Sequence, residues 1–166
     1  MEVTIHSTKA KPIPLGFQAL SVLIQALPED PDLSVFYFEQ ASHPSSSVRA
    51  AIASKSHLSP QTIHRLAQDP SSAVLEALLY NPSVHRYLNS TELAGMMSRS
   101  VRAAELIAHS VFSLQDPETL IQLLISHSDP EVRFALASSI QTPSVLEALL
   151  EDEDSGVVNA AKRSLQ

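Results

Sequence analysis

One short phrase recurs five times along the chain, and it constrains the fold more than any other feature. Val48-Arg49-Ala50-Ala51, Val74-Leu75-Glu76-Ala77, Val101-Arg102-Ala103-Ala104, Val132-Arg133-Phe134-Ala135 and Val158-Asn159-Ala160-Ala161 all read Val-x-x-Ala, at spacings of 26, 27, 31 and 26 residues. Residues three apart share one face of a helix. Four of the five phrases continue with an aliphatic residue on that face: Ile52, Leu78, Leu106 and Leu136. The small Ala lets two helix backbones approach closely.

A second, offset register carries the same period. Helix starts are expected at Asp30-Pro31, Ser59-Pro60, Ser90-Thr91, Asp116-Pro117 and Thr142-Pro143, 29, 31, 26 and 26 residues apart. Each begins with a good N-cap, and Pro at the first helical position gives up an N–H that has no intrahelical acceptor anyway. Six residues after that position comes Tyr37, Leu66, Met97, Leu123 or Leu149, bulky each time. The unit is therefore a helical hairpin: a cap, helix A, a short turn, and helix B carrying Val-x-x-Ala. One hairpin is too small to bury its own apolar face, so hairpins must stack. This predicts an all-α chain of ten or more short helices and no sheet. Val48, Val74, Val101, Val132 and Val158, with Ala51, Ala77, Ala104, Ala135 and Ala161, are expected to be buried between units.

The ends read as caps. Phe17, Leu20, Ile24 and Leu27 recur at helical spacing, which predicts a capping helix over 15–27. Pro12 and Pro14 mark 1–14 as a flexible tail, leaving 15–166 as a single repeat domain with repeats starting near 30, 59, 90, 116 and 142. At the far end Lys162 and Arg163 suit the last turn of a helix, and the run Glu151 to Asp154 suits its start. The third unit is irregular: "NPSVHRYLNS", residues 81–90, precedes Thr91, and the turn from Met97 to Val101 is short. A kink or a protruding short helix is expected there.

The stretches "DPEVRFALASSIQTPSVLEALLED" and "HPSSSVRAAIASKSHLSPQTIHRLAQDP" resemble HEAT-type units, and still more the leucine-rich repeat variant (LRV) family, over about residues 28–166. The resemblance implies a right-handed α-solenoid of about five helical-hairpin repeats behind the capping helix. It also implies service as an interaction surface. The iron–sulfur cluster that accompanies one such array needs cysteines, and this chain has none, so no cofactor is carried over.

Composition narrows the function. Lacking cysteine, the chain has no disulfide framework, thiolate site or cysteine nucleophile, which fits a reducing, cytoplasmic setting. The most apolar run, Ile13 to Leu27, is too short to span a bilayer. The three glycines are far apart, and no phosphate-binding loop, nucleophile elbow or HExxH helix occurs. Among the seven histidines, His43 and His127 fall just ahead of helix B and His57 and His109 near its end, without the tight spacing of a metal site.

The net charge is −7, divided as −3 over residues 1–40, +2 over 41–110 and −6 over 111–166. That balance opposes nucleic-acid binding. Arg49, Arg102 and Arg133 share one position of the phrase. They form either a stripe for an acidic partner or a ladder, each Arg bridging to a turn carboxylate such as Asp69 or Asp129 or to a free carbonyl; the ladder is favoured. His64-Arg65 and His85-Arg86-Tyr87, with Lys55, make the one positive cluster with an aromatic nearby, or else the solvated faces of two short helices. The resulting expectation is a non-catalytic protein–protein interaction or scaffold module with no metal, cofactor or membrane partner, presenting its helix-B face to another protein or peptide. Its candidate contacts are Arg49, Arg65, Arg86, Arg102 and Arg133, with Glu151, Asp152, Glu153 and Asp154. Two other readings are a nucleic-acid-binding or DNA-repair protein resembling the HEAT-like DNA glycosylases, which the charge balance and the lack of Trp disfavour, and a lyase or chaperone for a prosthetic group of the kind seen in HEAT-like bilin lyases, which rests on fold analogy alone.

Overall fold

Caps and prolines set the helices. In the computed structural model, which describes residues 4–7, 10–14, 16–81, 84–114 and 116–166 (4–14 by backbone alone), eleven α-helices are present among the described residues. They are α1 (Phe17–Ala26), α2 (Ser34–Gln40), α3 (Ser46–Ala53), α4 (Pro60–Leu66), α5 (Ser72–Leu79), α6 (Ser90–Arg99), α7 (Val101–Ser110), α8 (Pro117–Ile125), α9 (Pro130–Ser139), α10 (Pro143–Leu149) and α11 (Ser155–Ser164). Proline occupies the first turn of α4, α8, α9 and α10. Asp30-Pro31 instead opens a 3-10 turn, Pro31–Leu33, that leads into α2. The cap of α6 is Asn89, one residue before the expected Ser90. Glu92 N–H donates to Asn89 Oδ1 at 3.0 Å, and Asn89 N–H donates to Glu92 Oε2 at 3.1 Å, a reciprocal pair that satisfies two exposed donors.

Among the described residues one sheet stands where none was expected. Thr4–Ser7 (β1) and Ala10–Pro14 (β2) form an antiparallel hairpin, with Thr4 opposite Pro14 and Ile5 opposite Ile13. A two-stranded ladder leaves its outer edges unpaired, so a strand can hold proline. Residues 1–3 and 8–9 of the expected tail, Leu15 at the expected start of the capping helix, and Pro82 and Ser83 of the irregular stretch lie outside the described residues.

The described helices gather into two compact units, one holding α1 to α5 and the other α6 to α11. The division falls inside the irregular stretch, where a 3-10 turn covers Val84–Arg86. In the first unit α1, α3 and α5 lie side by side as one row, with α2 and α4 packed behind. In the second, α7, α9 and α11 form the row, with α6, α8 and α10 behind. Ser100 both ends α6 and caps α7, which gives the short turn expected before Val101.

The phase of each helix follows its cap rather than the Val-x-x-Ala phrase. The caps of the five B helices are Ser45, Ser71, Ser100, Asp129 and Asp154. Writing N3 for the third residue after the cap, N3 is Val48, Val74, Ala103, Val132 or Val157, and N7 is Ile52, Leu78, Ile107, Leu136 or Ala161. All ten are buried. The phrase is out of phase in two helices. Val101 is 43% exposed because Ser100 caps the helix directly before it. Val158 is only half-buried because Val157 takes the inward position. Ala77 is also half-buried, and Leu123 on α8 is exposed while Leu120, Ile121 and Leu124 carry that helix's core face. Each inward Val, Leu or Ile stabilises the fold by about 1.5–3 kcal/mol relative to exposure.

Candidate functional site

Two constellations of the same design tie the rows together at their N-terminal ends. In the first unit Arg49, at N4 of α3, makes a two-pronged bridge to Asp69: Nε to Oδ2 at 2.6 Å and Nη2 to Oδ1 at 2.9 Å. Its Nη1 donates to the carbonyls of His43 and Pro44 at 2.8 and 3.0 Å. Asp69 Oδ1 also accepts the N–H of Ser71, the cap of α5, at 2.9 Å. In the second unit Arg133, at N4 of α9, bridges Asp152 at 2.7 and 2.9 Å and donates to the His127 and Ser128 carbonyls at 2.7 and 3.3 Å. Asp152 Oδ1 accepts from the N–H of Asp154, the cap of α11, at 2.9 Å. The hydrogen bond from Arg133 holds the Asp152 carboxyl below its ordinary range, and the same carboxylates raise both guanidiniums above theirs. With side chains 13% and 8% exposed, Arg49 and Arg133 are rungs between successive B helices.

Histidine completes each constellation. His43 Nδ1 accepts the N–H of Ser45, and His127 Nδ1 accepts the N–H of Asp129, both at 3.1 Å. Their recurrence ahead of helix B is therefore a turn device. Among the described residues no group of three or more His, Asp or Glu side chains gathers as a metal cluster would.

The C-terminal ends of the rows are joined at N10. Lys55 of the first unit is buried and donates through Nζ to the carbonyls of Gln25 and Leu27 at 3.1 and 2.7 Å, at the C-terminal end of α1. Asn81 donates to the Lys55 carbonyl at 2.5 Å. In the second unit Ser164 donates to the Ala137 carbonyl at 2.8 Å. A cation at a helix C-terminus meets both the free carbonyls and the dipole, so Lys55 leaves the positive cluster assigned to it from sequence.

The remaining candidates separate cleanly. Arg102 sits at N2 of α7, not N4, which explains its departure from the other two arginines: it is exposed and pairs along its own helix with Glu105. Arg65 is exposed, lies 3.9 Å over the Phe38 ring and donates to Ser42 Oγ at 2.8 Å. Arg86 and Tyr87 are exposed in the second unit. Of the acidic run, Glu151 and Glu153 are exposed. Asp152 is consumed by Arg133, and Asp154 caps α11 by accepting the N–H groups of Gly156 and Val157 at 2.7 and 3.2 Å.

What the packing leaves over is an outward row, N2, N5 and N9 of each B helix. In the first unit it reads Ser47, Ala50 and Ser54 on α3 and Ala73, Glu76 and Tyr80 on α5. In the second it reads Arg102, Glu105 and His109 on α7, Glu131, Phe134 and Ser138 on α9, and Gly156, Asn159 and Arg163 on α11. Tyr80 is 64% exposed and walls a depression of about 550 Å³ over Ser54, Ala73 and Ala77. Phe134, 36% exposed, lines a smaller one of about 230 Å³ with Pro130, Glu131 and Gly156. The sequence reading missed both aromatics; counting positions from the cap residue would have placed them outward. A third hollow, about 580 Å³, lies among the A helices of the second unit beside the exposed Phe112.

No protein-family model, curated protein or solved structure matches this chain. Among the described residues no helix is long and apolar enough to cross a membrane.

Proposed function

We propose that the chain is a non-catalytic protein–protein interaction module, a small solenoid of the HEAT or LRV kind that offers the outward row of its B helices to another protein or peptide. The observation that supports this is the division of labour within each B helix. N3 and N7 pack, Arg49 and Arg133 at N4 and Lys55, Asn81 and Ser164 at N10 supply the bridges, and N2, N5 and N9 stay outside the packed faces while carrying Tyr80 and Phe134 beside shallow depressions. Aromatic side chains in such places are the usual energetic anchors of a protein interface. Stacking makes a repeated helix face into an extended surface. In the first unit Arg65 supplies exposed positive charge; in the second Arg86 and Arg102 supply positive and Glu151 and Glu153 negative charge, a polarity within that unit that sets docking direction and rate more than affinity.

Photo-crosslinking tests the reading. A benzoyl-phenylalanine replacing Tyr80 or Phe134 is expected to give a discrete protein adduct in extract of the native host. One replacing Val35, exposed on α2 outside the row, is expected to give none. Adducts of equal yield at all three positions, or at Val35 alone, would contradict it.

A further inference from the structure

The surroundings of Phe134 specify what its exposed ring can bind. The hollow that it lines with Pro130, Glu131, Asp154 and Gly156 lies wholly within the second unit. Glu131 is exposed and enters no ion pair among the described residues. Asp154 commits Oδ1 to the N–H groups of Gly156 and Val157, and its Oδ2 accepts no hydrogen bond among the described residues. A place in the first turn accounts for Glu131 through the helix dipole, but it does not account for an aromatic ring left open beside that carboxylate.

Gly156 keeps the ring open. It stands at N2 of α11, where the other B helices carry Ser47, Ala73, Arg102 and Glu131. Glycine weakens a helix, so its use here calls for a reason. A Cβ at this position would lie 4.0 Å from Phe134 Cδ2 and 2.9 Å from Asp154 Oδ1. Any side chain would crowd the carboxylate and shield the ring.

Charge selects the occupant. The two turns whose residues line the hollow, 128–131 and 151–154, hold six carboxylates and no cation. Arg133, which lies between them in sequence, is held by Asp152. An aromatic face attracts a cation. A guanidinium suits this place better than an ammonium, because it stacks flat on a ring while its N–H groups fork to carboxylates. The chain makes such a stack itself in the first unit, where the Arg65 guanidinium lies 3.9 Å over the Phe38 ring. We infer that the Phe134 hollow is a subsite for an arginine side chain of a basic partner segment, which lays its guanidinium on the ring and pairs it with Glu131 and Asp154. The inference rests on the outward row being a partner surface and adds the partner's chemistry.

Fluorescence anisotropy at low salt, with a labelled peptide that alternates arginine and glycine, tests this. The wild-type chain is expected to bind that peptide, and to bind its lysine counterpart several-fold more weakly. Phe134→Leu keeps an apolar side chain but no ring, and is expected to weaken the arginine peptide by roughly two- to fivefold. Glu131→Gln should weaken it comparably. Glu147→Gln, which removes an equal charge from an exposed position on α10, should leave it unchanged. Absence of binding, equal affinity for the two peptides, wild-type affinity in Phe134→Leu, or equal losses in the two glutamate variants overturns the inference. Should Phe134→Leu fail to fold, nuclear magnetic resonance of the wild-type chain decides. The peptide is then expected to shift the amides of Glu131, Phe134 and Gly156 more than those of α10, and a uniform shift refutes the subsite. A host-protein adduct from benzoyl-phenylalanine replacing Phe134, in a chain that binds no arginine peptide, overturns the subsite alone. Arginine binding with no adduct at either Tyr80 or Phe134 supports the subsite and contradicts the row.

Discussion

Replacing Arg133 with alanine isolates the bridge on which the second row depends. The guanidinium serves four acceptors: both oxygens of Asp152 and the carbonyls of His127 and Ser128. Its removal leaves Asp152, whose side chain is 7% exposed, with a donor in the Asp154 N–H but no cation, and leaves two carbonyls without theirs. Removing one partner of a fully buried pair costs about 3–5 kcal/mol; this pair lies at the edge of the core, which brings the figure to about 2–3 kcal/mol. For a chain of this size each kcal/mol moves the melting temperature by about 2–4 °C, so a fall of roughly 4–12 °C is expected by calorimetry. Arg102→Ala is the internal comparison. Its guanidinium is exposed and pairs within its own helix, so the loss should stay below about 0.5 kcal/mol. A double-mutant cycle of Arg133→Ala with Asp152→Ala is expected to show a coupling above about 1 kcal/mol. Equal small losses for Arg102 and Arg133, with no coupling to Asp152, would refute the ladder and return Arg133 to the list of partner contacts.

Ala135→Leu, at the buried N6 position of α9 where α7 and α11 both pack, should overpack the row and cost about 1–3 kcal/mol in denaturant midpoint; Ala104→Leu on α7 should behave alike. Because Arg133 lowers the Asp152 pKa in the folded chain, the bridge contributes stability above the carboxylate's unfolded value of about 3.8 and loses it as pH falls through that value and below. Stability measured from pH 6 to pH 3 should therefore fall less steeply in Asp152→Asn than in wild type. Lys55→Met keeps the buried stem but removes the donor to Gln25 and Leu27; it should loosen the C-terminal end of α1, read as faster amide exchange over Leu23–Leu27 than in the rest of the first unit.

The predominance of short α-helices was legible because their punctuation is local chemistry. Ser-Pro, Asp-Pro and Thr-Pro mark the starts of α4, α8 and α10 where the sequence placed them, three of the five expected A-helix starts; Asp30-Pro31 opens a 3-10 turn ahead of α2 instead. The Val-x-x-Ala phrase misled in α7 because the match is to letters, whereas helix phase is fixed by where the cap sits. In α3, α5 and α9 the Val stands three residues after its cap; in α7 it stands one residue after Ser100, and in α11 the residue at that distance is Val157. Asp69 was named from sequence as a partner of the arginine ladder. Asp152 occupies the same place, two residues before the next cap, but is hidden among four consecutive acids. The hairpin at 4–14 escaped because its prolines, which break central strands, are compatible with an edge.

The cap-defined register underlies both the ladder and the outward row, and α7 is where it departs most from the sequence phrase. Single cysteines placed in turn from Val101 to His109 and labelled with a thiol reagent test it most directly, since the chain offers no competing thiol. Fast labelling is expected at Val101, Arg102, Glu105 and His109, and protection at Ala103, Ala104, Ile107 and Ala108. Protection at Val101 together with fast labelling at Ala103 would contradict it, and would return the helix to the phase that Val-x-x-Ala suggests.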